Sequence, residues 1–236
     1  ETAKKLIGIG FKVSIESNAG LASSYTDEDY KKVGVEIVKT QKSLLSSAEI
    51  VFAVIRPELK VIKSLKKGII VICQMESHLN TDDIKEFAKV GITSFALELV
   101  PRISRAQSMD VLSSQSNLAG YRAVIEASQI YRKAFPMMMT AAGTIPPARV
   151  LVMGAGVAGL QAIATAKRMG AIVSATDVRP AAKEQVESLG GKFVAVEDDE
   201  FRDAETSGVY AKQMSASYQK KQSDLVAKTI SEQDIV

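Results

Sequence analysis

Arg149-Val-Leu-Val-Met-Gly-Ala-Gly-Val-Ala-Gly159, continued by Leu160-Gln-Ala-Ile-Ala-Thr-Ala-Lys-Arg-Met169 and Gly170-Ala-Ile-Val-Ser-Ala-Thr-Asp177, is the stretch on which the fold turns. Arg149 to Met153 reads as a short buried strand. Gly154, Gly156 and Gly159 form a G-x-G-x-x-G turn, and Val157 to Met169 fits a helix that Gly170 stops. Ala171 to Thr176 is a second strand-like run, and Asp177 follows it, eighteen residues beyond Gly159. Each part has a physical task in a dinucleotide-binding βαβ unit. Gly154 permits the tight turn, Gly156 lets a pyrophosphate approach the backbone, and Gly159 lets helix and strand pack closely. The helix N-terminus offers free N–H groups and the positive end of a dipole to phosphates. A carboxylate at Asp177 can accept both ribose hydroxyls of an adenosine and repels a 2′-phosphate, which favours NAD(H) over NADP(H). A glycine-rich turn in an ordinary α/β unit, with Asp177 as a solvated loop residue, is the plainer alternative.

The composition bounds the remaining classes. At 236 residues, 46% hydrophobic and 24% charged, the chain can bury one large core or two ordinary ones. A net charge of +3, with no basic stripe interleaved with aromatics, gives no footprint for nucleic acid. A single cysteine, Cys73, rules out an internal disulfide framework and fits a reducing compartment. With one histidine, His78, beside it, a structural zinc site has too few ligands. No apolar run approaches the ~18–20 residues of a membrane span.

Along the first half, strand-like and helical patterns alternate. Phe11 to Glu16, Val35 to Val38, Ile50 to Ile55, Ile69 to Cys73 and Thr93 to Leu97 read as short buried strands. Asp27 to Lys32, Ser43 to Ser47, Glu58 to Leu65 and Thr81 to Val90 read as helices, the last with Thr81 as N-cap. Asn117 to Phe135 predicts one long helix ended by Pro136. Met137 to Pro147 reads as a hairpin turning near Ala142-Gly143, with apolar arms that fit either a core or a subunit interface. After the βαβ unit come a helix over Pro180 to Leu189, a strand over Lys192 to Val196, an acidic loop from Glu197 to Gly208 and a polar helix from Val209 to about Gln233. The fold expected is α/β, two Rossmann-like lobes with mostly parallel sheets joined by a long helix. The divisions fall at 1–114, 115–135 and 136–236. Glu1-Thr-Ala-Lys-Lys-Leu-Ile-Gly reads as mid-helix and Asp234-Ile-Val236 as the start of a strand, so the expectation is a fragment truncated at both ends.

A second segment, Glu98-Leu-Val-Pro-Arg-Ile-Ser-Arg-Ala-Gln-Ser-Met-Asp-Val-Leu-Ser-Ser-Gln-Ser-Asn-Leu-Ala-Gly-Tyr-Arg122, reads on its own as a polar connector. It would face the crevice between lobes, or else serve as a solvated link with capping serines. Together with Pro136-Met-Met-Met-Thr-Ala-Ala-Gly-Thr-Ile-Pro-Pro-Ala-Arg-Val-Leu-Val and Ala162-Ile-Ala-Thr-Ala-Lys-Arg-Met-Gly-Ala, it closely resembles the NAD(H)-binding domain I (alpha subunit) of proton-translocating nicotinamide nucleotide transhydrogenase. The resemblance runs over essentially the whole chain and extends, more distantly, to alanine dehydrogenase.

That resemblance implies a set of roles. Arg102, Gln107, Asp110 and Ser113 match the loop residues that contact the nicotinamide and its ribose. Gly154, Ala155, Gly156, Val157 and Gly159, with Asp177 and Val178, match the pyrophosphate and adenosine-ribose positions. Gly208-Val-Tyr-Ala-Lys-Gln-Met214 resembles the family's mobile loop, with Tyr210 contacting bound nucleotide; a surface aromatic is the alternative for Tyr210. The resemblance implies NAD(H) as cofactor and a homodimer. It also implies an NADP(H)-binding domain and a membrane-spanning domain of the same enzyme as partners. The chain would then be a peripheral, soluble part of a membrane-bound enzyme, at a bacterial cytoplasmic face or an organellar inner membrane.

The implied chemistry is direct hydride transfer from NADH to NADP⁺. It needs no protein acid or base, only approach of the reacting atoms to about 3–3.5 Å, with positioning worth ~7–11 kcal/mol. Alanine dehydrogenases use a lysine and a histidine on the substrate carbonyl and amine. The corresponding strand ends here read Ala53-Val-Ile-Arg-Pro57 and Cys73-Gln-Met-Glu76, and His78 reads as a cap-region or surface residue. An alanine-dehydrogenase-like oxidoreductase and a non-catalytic NAD-sensing module remain the competing readings.

Overall fold

The structure, a computed structural model, describes residues 1–202 and 214–236 and divides into two compact units, Glu1–Asp110 and Val111–Val236. The first unit runs α1 (Thr2–Gly8), β1 (Ser14–Glu16), α2 (Asp27–Lys31), β2 (Glu36–Val38), α3 (Gln41–Ser47), β3 (Ile50–Ile55), α4 (Leu59–Ile62), β4 (Ile70–Gln74), α5 (Thr81–Val90) and β5 (Thr93–Ala96). Strands β1 and β2 pair in parallel, and β3-β4-β5 form a second parallel sheet. A parallel strand covered on both faces reads as a continuous apolar run, and the central strand does so. Val71 and Cys73 of β4 are fully buried with Ile62, Ile69, Met75 and Phe87. The edge strands differ from the expectation of full burial, because Phe52 and Val54 of β3 and Phe95 of β5 stay exposed. Helix α2 begins with a reciprocal cap between Thr26 and Asp29. For α5 the N-cap is Asn80 rather than Thr81, and it closes the helix without a side-chain bond.

The second unit opens with α6 (Val111–Ile130), followed by the antiparallel hairpin β6 (Met138–Thr140) and β7 (Gly143–Ile145). Then come β8 (Arg149–Met153), α7 (Val157–Arg168), β9 (Ile172–Thr176), α8 (Ala182–Ser188), β10 (Lys192–Phe193), α9 (Asp199–Arg202) and α10 (Ala216–Ser231). The sheet order is β10-β9-β8, all parallel, and Ile235 bridges Val150 in parallel on the other side of β8. The winding therefore proceeds outward from β8 in one direction, then reverses after α10. That makes the carboxyl end of β8 a topological switch point. Ala148, Val150, Leu151, Ile163, Ala166, Val173, Ala175 and Val186 fill the core, and the hairpin's Met138, Met139 and Ile145 stay exposed.

Helix α6 starts six residues before the expected Asn117 and ends five before Phe135. Serines in its first turn are accommodated, as Ser114 Oγ donates to the Val111 carbonyl. At the other end the chain leaves the helix so that Phe135 can enter the core, edge-to-face with Tyr131, while its carbonyl accepts from Ala148 N–H. Strand β10 stops early because α10 takes over its partners. Gln222 accepts from Val196 N–H, and the Tyr218 hydroxyl donates to the Val196 carbonyl. Within the expected acidic loop, α9 forms and buries Phe201.

Helices α6 and α7 touch backbone to backbone. A β-carbon at Gly120 would overlap the Ala158 carbonyl. Gly120→Ala gains about 1 kcal/mol of helix propensity but forces two helices apart, an overpacking cost of about 1–3 kcal/mol. The cost comes from backbone, which cannot rotate aside, so the substitution should lower unfolding free energy by about 1–2 kcal/mol net. An unchanged urea midpoint would show that the helices do not approach this closely.

Candidate functional site

The switch point at the end of β8 carries the glycine turn. Gly154 has a φ of +99°, a left-handed value that disfavours any side chain, and its N–H continues the sheet by donating to the Thr176 carbonyl at 2.8 Å. At Gly159 a β-carbon would overlap the Gly154 carbonyl, so strand and helix meet there without side chains between them. Gly156 is different. A β-carbon there meets nothing within 4 Å and its φ is −78°. No contact within the protein demands glycine at 156, which leaves close approach of a ligand as the physical reason for one. Gly156 is the N-cap of α7 and makes no side-chain cap, so the first N–H groups of the helix face the end of the sheet. Ala155 is fully buried, whereas Val157 and Val178 are exposed.

Asp177 sits where β9 ends, with its side chain only 7% exposed. One carboxylate oxygen accepts from Ala155 N–H at 2.7 Å, tying the acid to the glycine turn. The other accepts from Arg179 N–H at 2.8 Å and from Arg179 Nε at 2.9 Å, while Arg179 Nη2 reaches Oδ2 at 3.1 Å. Burial alone would push this carboxyl pKa up. The Arg179 guanidinium and the N–H groups of Arg179 and Ala155 outweigh burial and hold it below 3.8. The same guanidinium donates to the Ala155 carbonyl at 3.2 Å, and its own pKa is raised by the carboxylate. Behind the acid, Gln222 of α10 donates to Thr176 Oγ1 at 3.1 Å, bracing the end of β9. The structure thus gathers Gly154, Ala155, Gly156, Gly159 and Asp177 into one turn.

In the first unit, Arg102 Nε lies 3.8 Å from Asp110 Oδ2, and Gln107 is exposed on a 3₁₀ turn over Ser104–Met109. Ser113 stands in the first turn of α6, in the second unit. Tyr210 lies outside the described residues. The strand ends that correspond to the lysine and histidine of alanine dehydrogenases hold Arg56, paired with Asp83 at 2.8 Å and donating to the Met75 carbonyl at 2.7 Å. Nearby Glu98 accepts from Met75 and Ser77 N–H groups, and His78 is exposed. Sequence reasoning missed Arg179, Gln222 and Gly120. Arg179, two residues beyond the acid, was the one signalled by spacing; the other two depend on contacts 46 and 38 residues away, between Gln222 and Thr176 and between Gly120 and Ala158.

Comparison with known proteins places these features in context. Residues 1–119 match the family description "Alanine dehydrogenase/PNT, N-terminal domain", and residues 123–236 match "Alanine dehydrogenase/PNT, C-terminal domain". The chain belongs to the alanine dehydrogenase/PNT family. It is 53% identical over its whole length to the first portion of NAD(P) transhydrogenase subunit alpha from Rhodospirillum rubrum, and spans 62% of that relative. A crystal structure of transhydrogenase from Sinorhizobium meliloti superposes with a TM-score of 0.89 at 51% identity, over 99% of this chain and 62% of that one. Alanine dehydrogenase of Methanococcus maripaludis is more distant, 32% identical over 72% of this chain and 46% of its own. The two Rossmann-like lobes and mostly parallel sheets expected from sequence are those of this family.

Because the Asp177 carboxyl is held below its ordinary value of 3.8 in the folded protein, ionisation stabilises the fold above that pH. The contribution is lost as pH falls through the folded value. The stability gap between the wild type and Asp177→Asn should therefore be full at pH 7 and shrink once pH drops below about 4. Paired urea titrations at pH 7 and pH 3 measure it, and a gap equal at both would refute the pairing.

Proposed function

We propose that this chain is the NAD(H)-binding component of an NAD(P) transhydrogenase, which holds NADH for hydride transfer to NADP⁺ on a partner domain. The observation that carries the reading is the constellation at the switch point of β8. There a glycine with no intramolecular reason to be glycine opens onto a helix N-terminus, with a buried carboxylate alongside. The family and the similarity to transhydrogenase subunits support the same assignment. The residues fit a dinucleotide: the first N–H groups of α7 receive pyrophosphate oxygens across Gly156, and Asp177, with Val178 beside it, receives the adenosine ribose. When bound, the nicotinamide supplies the hydride. Arg102, Gln107, Asp110 and Ser113 orient the carboxamide and its ribose, and Tyr210 covers the nucleotide. No side chain needs to move a proton for the transfer, so the protein's contribution is position and exclusion of water.

In this reading the chain works as a homodimer beside an NADP(H)-binding domain and a membrane-spanning domain of the same enzyme. The transfer is Re/Si-specific and coupled there to proton translocation. No helix among the described residues is long and apolar enough to cross a membrane, which fits a peripheral position.

Stopped-flow transfer from NADH to an NADP⁺ analogue, using the full-length polypeptide with and without its NADP(H)-binding domain, tests the assignment. Transfer only in the presence of the partner is the expected result. NADH binding with no transfer under any condition would leave a nucleotide sensor, and turnover of alanine with NAD⁺ would make it a dehydrogenase. Asp177→Asn should weaken NADH binding but leave unchanged the binding of nucleotides that lack the adenosine ribose hydroxyls; equal weakening of both contradicts the role of the acid. Gln107→Asn should slow transfer at least tenfold (about 1.4 kcal/mol) while changing the NADH dissociation constant much less. An unaltered transfer rate would remove that loop from the mechanism.

A further inference from the structure

Asp177 has no acceptor capacity to spare. A carboxylate offers about four lone-pair positions, and four donors already occupy them: Ala155 N–H, Arg179 N–H, Arg179 Nε and Arg179 Nη2. The guanidinium lies across the rim of the glycine turn, joined at the same time to the Ala155 carbonyl. Its backbone is fixed by the bond to Oδ1 and by the turn into α8, where Ala182 N–H donates to the Arg179 carbonyl at 3.1 Å. The side chain is one-third exposed and can pivot from that anchor. An acid that accepts ribose hydroxyls and an arginine that binds a 2′-phosphate are normally alternatives at this position of a dinucleotide fold. Here both are present, locked onto each other.

We propose that Arg179 is a latent 2′-phosphate ligand, and that Asp177 enforces selection of the non-phosphorylated coenzyme in two ways. Its charge repels a 2′-phosphate, and it sequesters the cation that would otherwise bind one. Selection therefore resides in the pair rather than in the acid alone. The inference rests on the adenosine ribose lying at Asp177, as in the functional reading above. Its chemical logic suits a polypeptide that must hold one nicotinamide nucleotide beside a domain holding its 2′-phosphorylated counterpart, since a lapse in selection would load the wrong partner.

The test uses four forms of the full-length polypeptide: wild type, Asp177→Asn, Arg179→Gln and the double variant. Binding of NADH, 5′-ADP and 2′,5′-ADP is followed by calorimetry. Asp177→Asn should bind 2′,5′-ADP roughly 10- to 100-fold more tightly than wild type, the scale of a charge-assisted hydrogen bond, and the double variant should lose most of that gain. Arg179→Gln alone should gain nothing for 2′,5′-ADP. An equal gain in single and double variants would mean that repulsion by the acid explains selection without Arg179, and would overturn the proposal. So would the absence of any gain in an Asp177→Asn protein that still melts cooperatively and binds 5′-ADP. Asp177→Ser repeats the comparison should the asparagine form not fold. Failure of wild type to bind NADH would sink the functional reading instead, while an Arg179-dependent gain for 2′,5′-ADP would still stand.

Discussion

The carbonyl oxygen of Gly154 occupies the space where residue 159 would otherwise carry a side chain, and the rest of the second unit is arranged around that approach. With strand and helix so close, the turn between them must be tight, which the left-handed Gly154 provides. The start of α7 is then held at the end of β8, where the sheet reverses its winding. The buried Ala155 between the glycines directs its N–H at Asp177 and its carbonyl at Arg179. A second close approach, Gly120 against Ala158, seats α6 along α7 by the same means. Two glycines thus position a helix against a strand and a helix against a helix. The N-terminal dipole and the neighbouring acid follow from those positions rather than from any dedicated scaffold.

This dependence explains what could be read from the sequence and what could not. The βαβ core was legible because its signals are local: an apolar run, three glycines at fixed spacing, a helix stop and an acid after the second strand. Ile50–Ile55 and Thr81–Val90 fall where periodicity put them, since each is bounded by clear turn residues. Burial on β3 and β5 was overestimated because β-branched and aromatic residues read as buried whether the strand is central or at an edge. The end of α6 was misplaced for a tertiary reason. Helical periodicity continues to Phe135, but burying Phe135 against Tyr131 requires leaving the helix at Ile130. Strand β10 was overextended because Gln222 and Tyr218, more than twenty residues later, take the bonds that a sheet neighbour would have supplied. In the site, the glycines and Asp177 were visible from spacing. The roles of Arg102, Gln107, Asp110 and Ser113 came only from family resemblance, since a polar connector has no periodicity to read.

The electrostatics of the turn follow from the burial of Asp177. Removing a carboxylate from water is expensive, so a buried one must be paired and hydrogen-bonded. Two backbone N–H groups and one guanidinium meet that demand here, and the depressed carboxyl pKa is the measure of their success. The backbone donors do not depend on which side chain stands at 155 or 179. The guanidinium is the only one of the three that can leave.

A ligand diol that takes over this carboxylate exchanges two charge-assisted bonds from Arg179 for two bonds from hydroxyls. Each such bond to a charged group is worth about 1.5–3 kcal/mol, and the acceptor stays charged in both states, so the exchange is close to balanced. The adenosine end of a dinucleotide then contributes discrimination more than affinity. The favourable free energy must come from elsewhere, from pyrophosphate at the start of α7 and from burial of the two rings. Such a division suits a protein that has to release its nucleotide as readily as it takes it up. Tight anchoring of the ribose would slow exchange, whereas an anchor already satisfied by Arg179 costs little to vacate. The guanidinium that closes over Asp177 when a ribose departs keeps the buried charge compensated throughout. No intermediate state then leaves the carboxylate bare, and the barrier to exchange does not include the several kcal/mol that an unpaired buried ion would add.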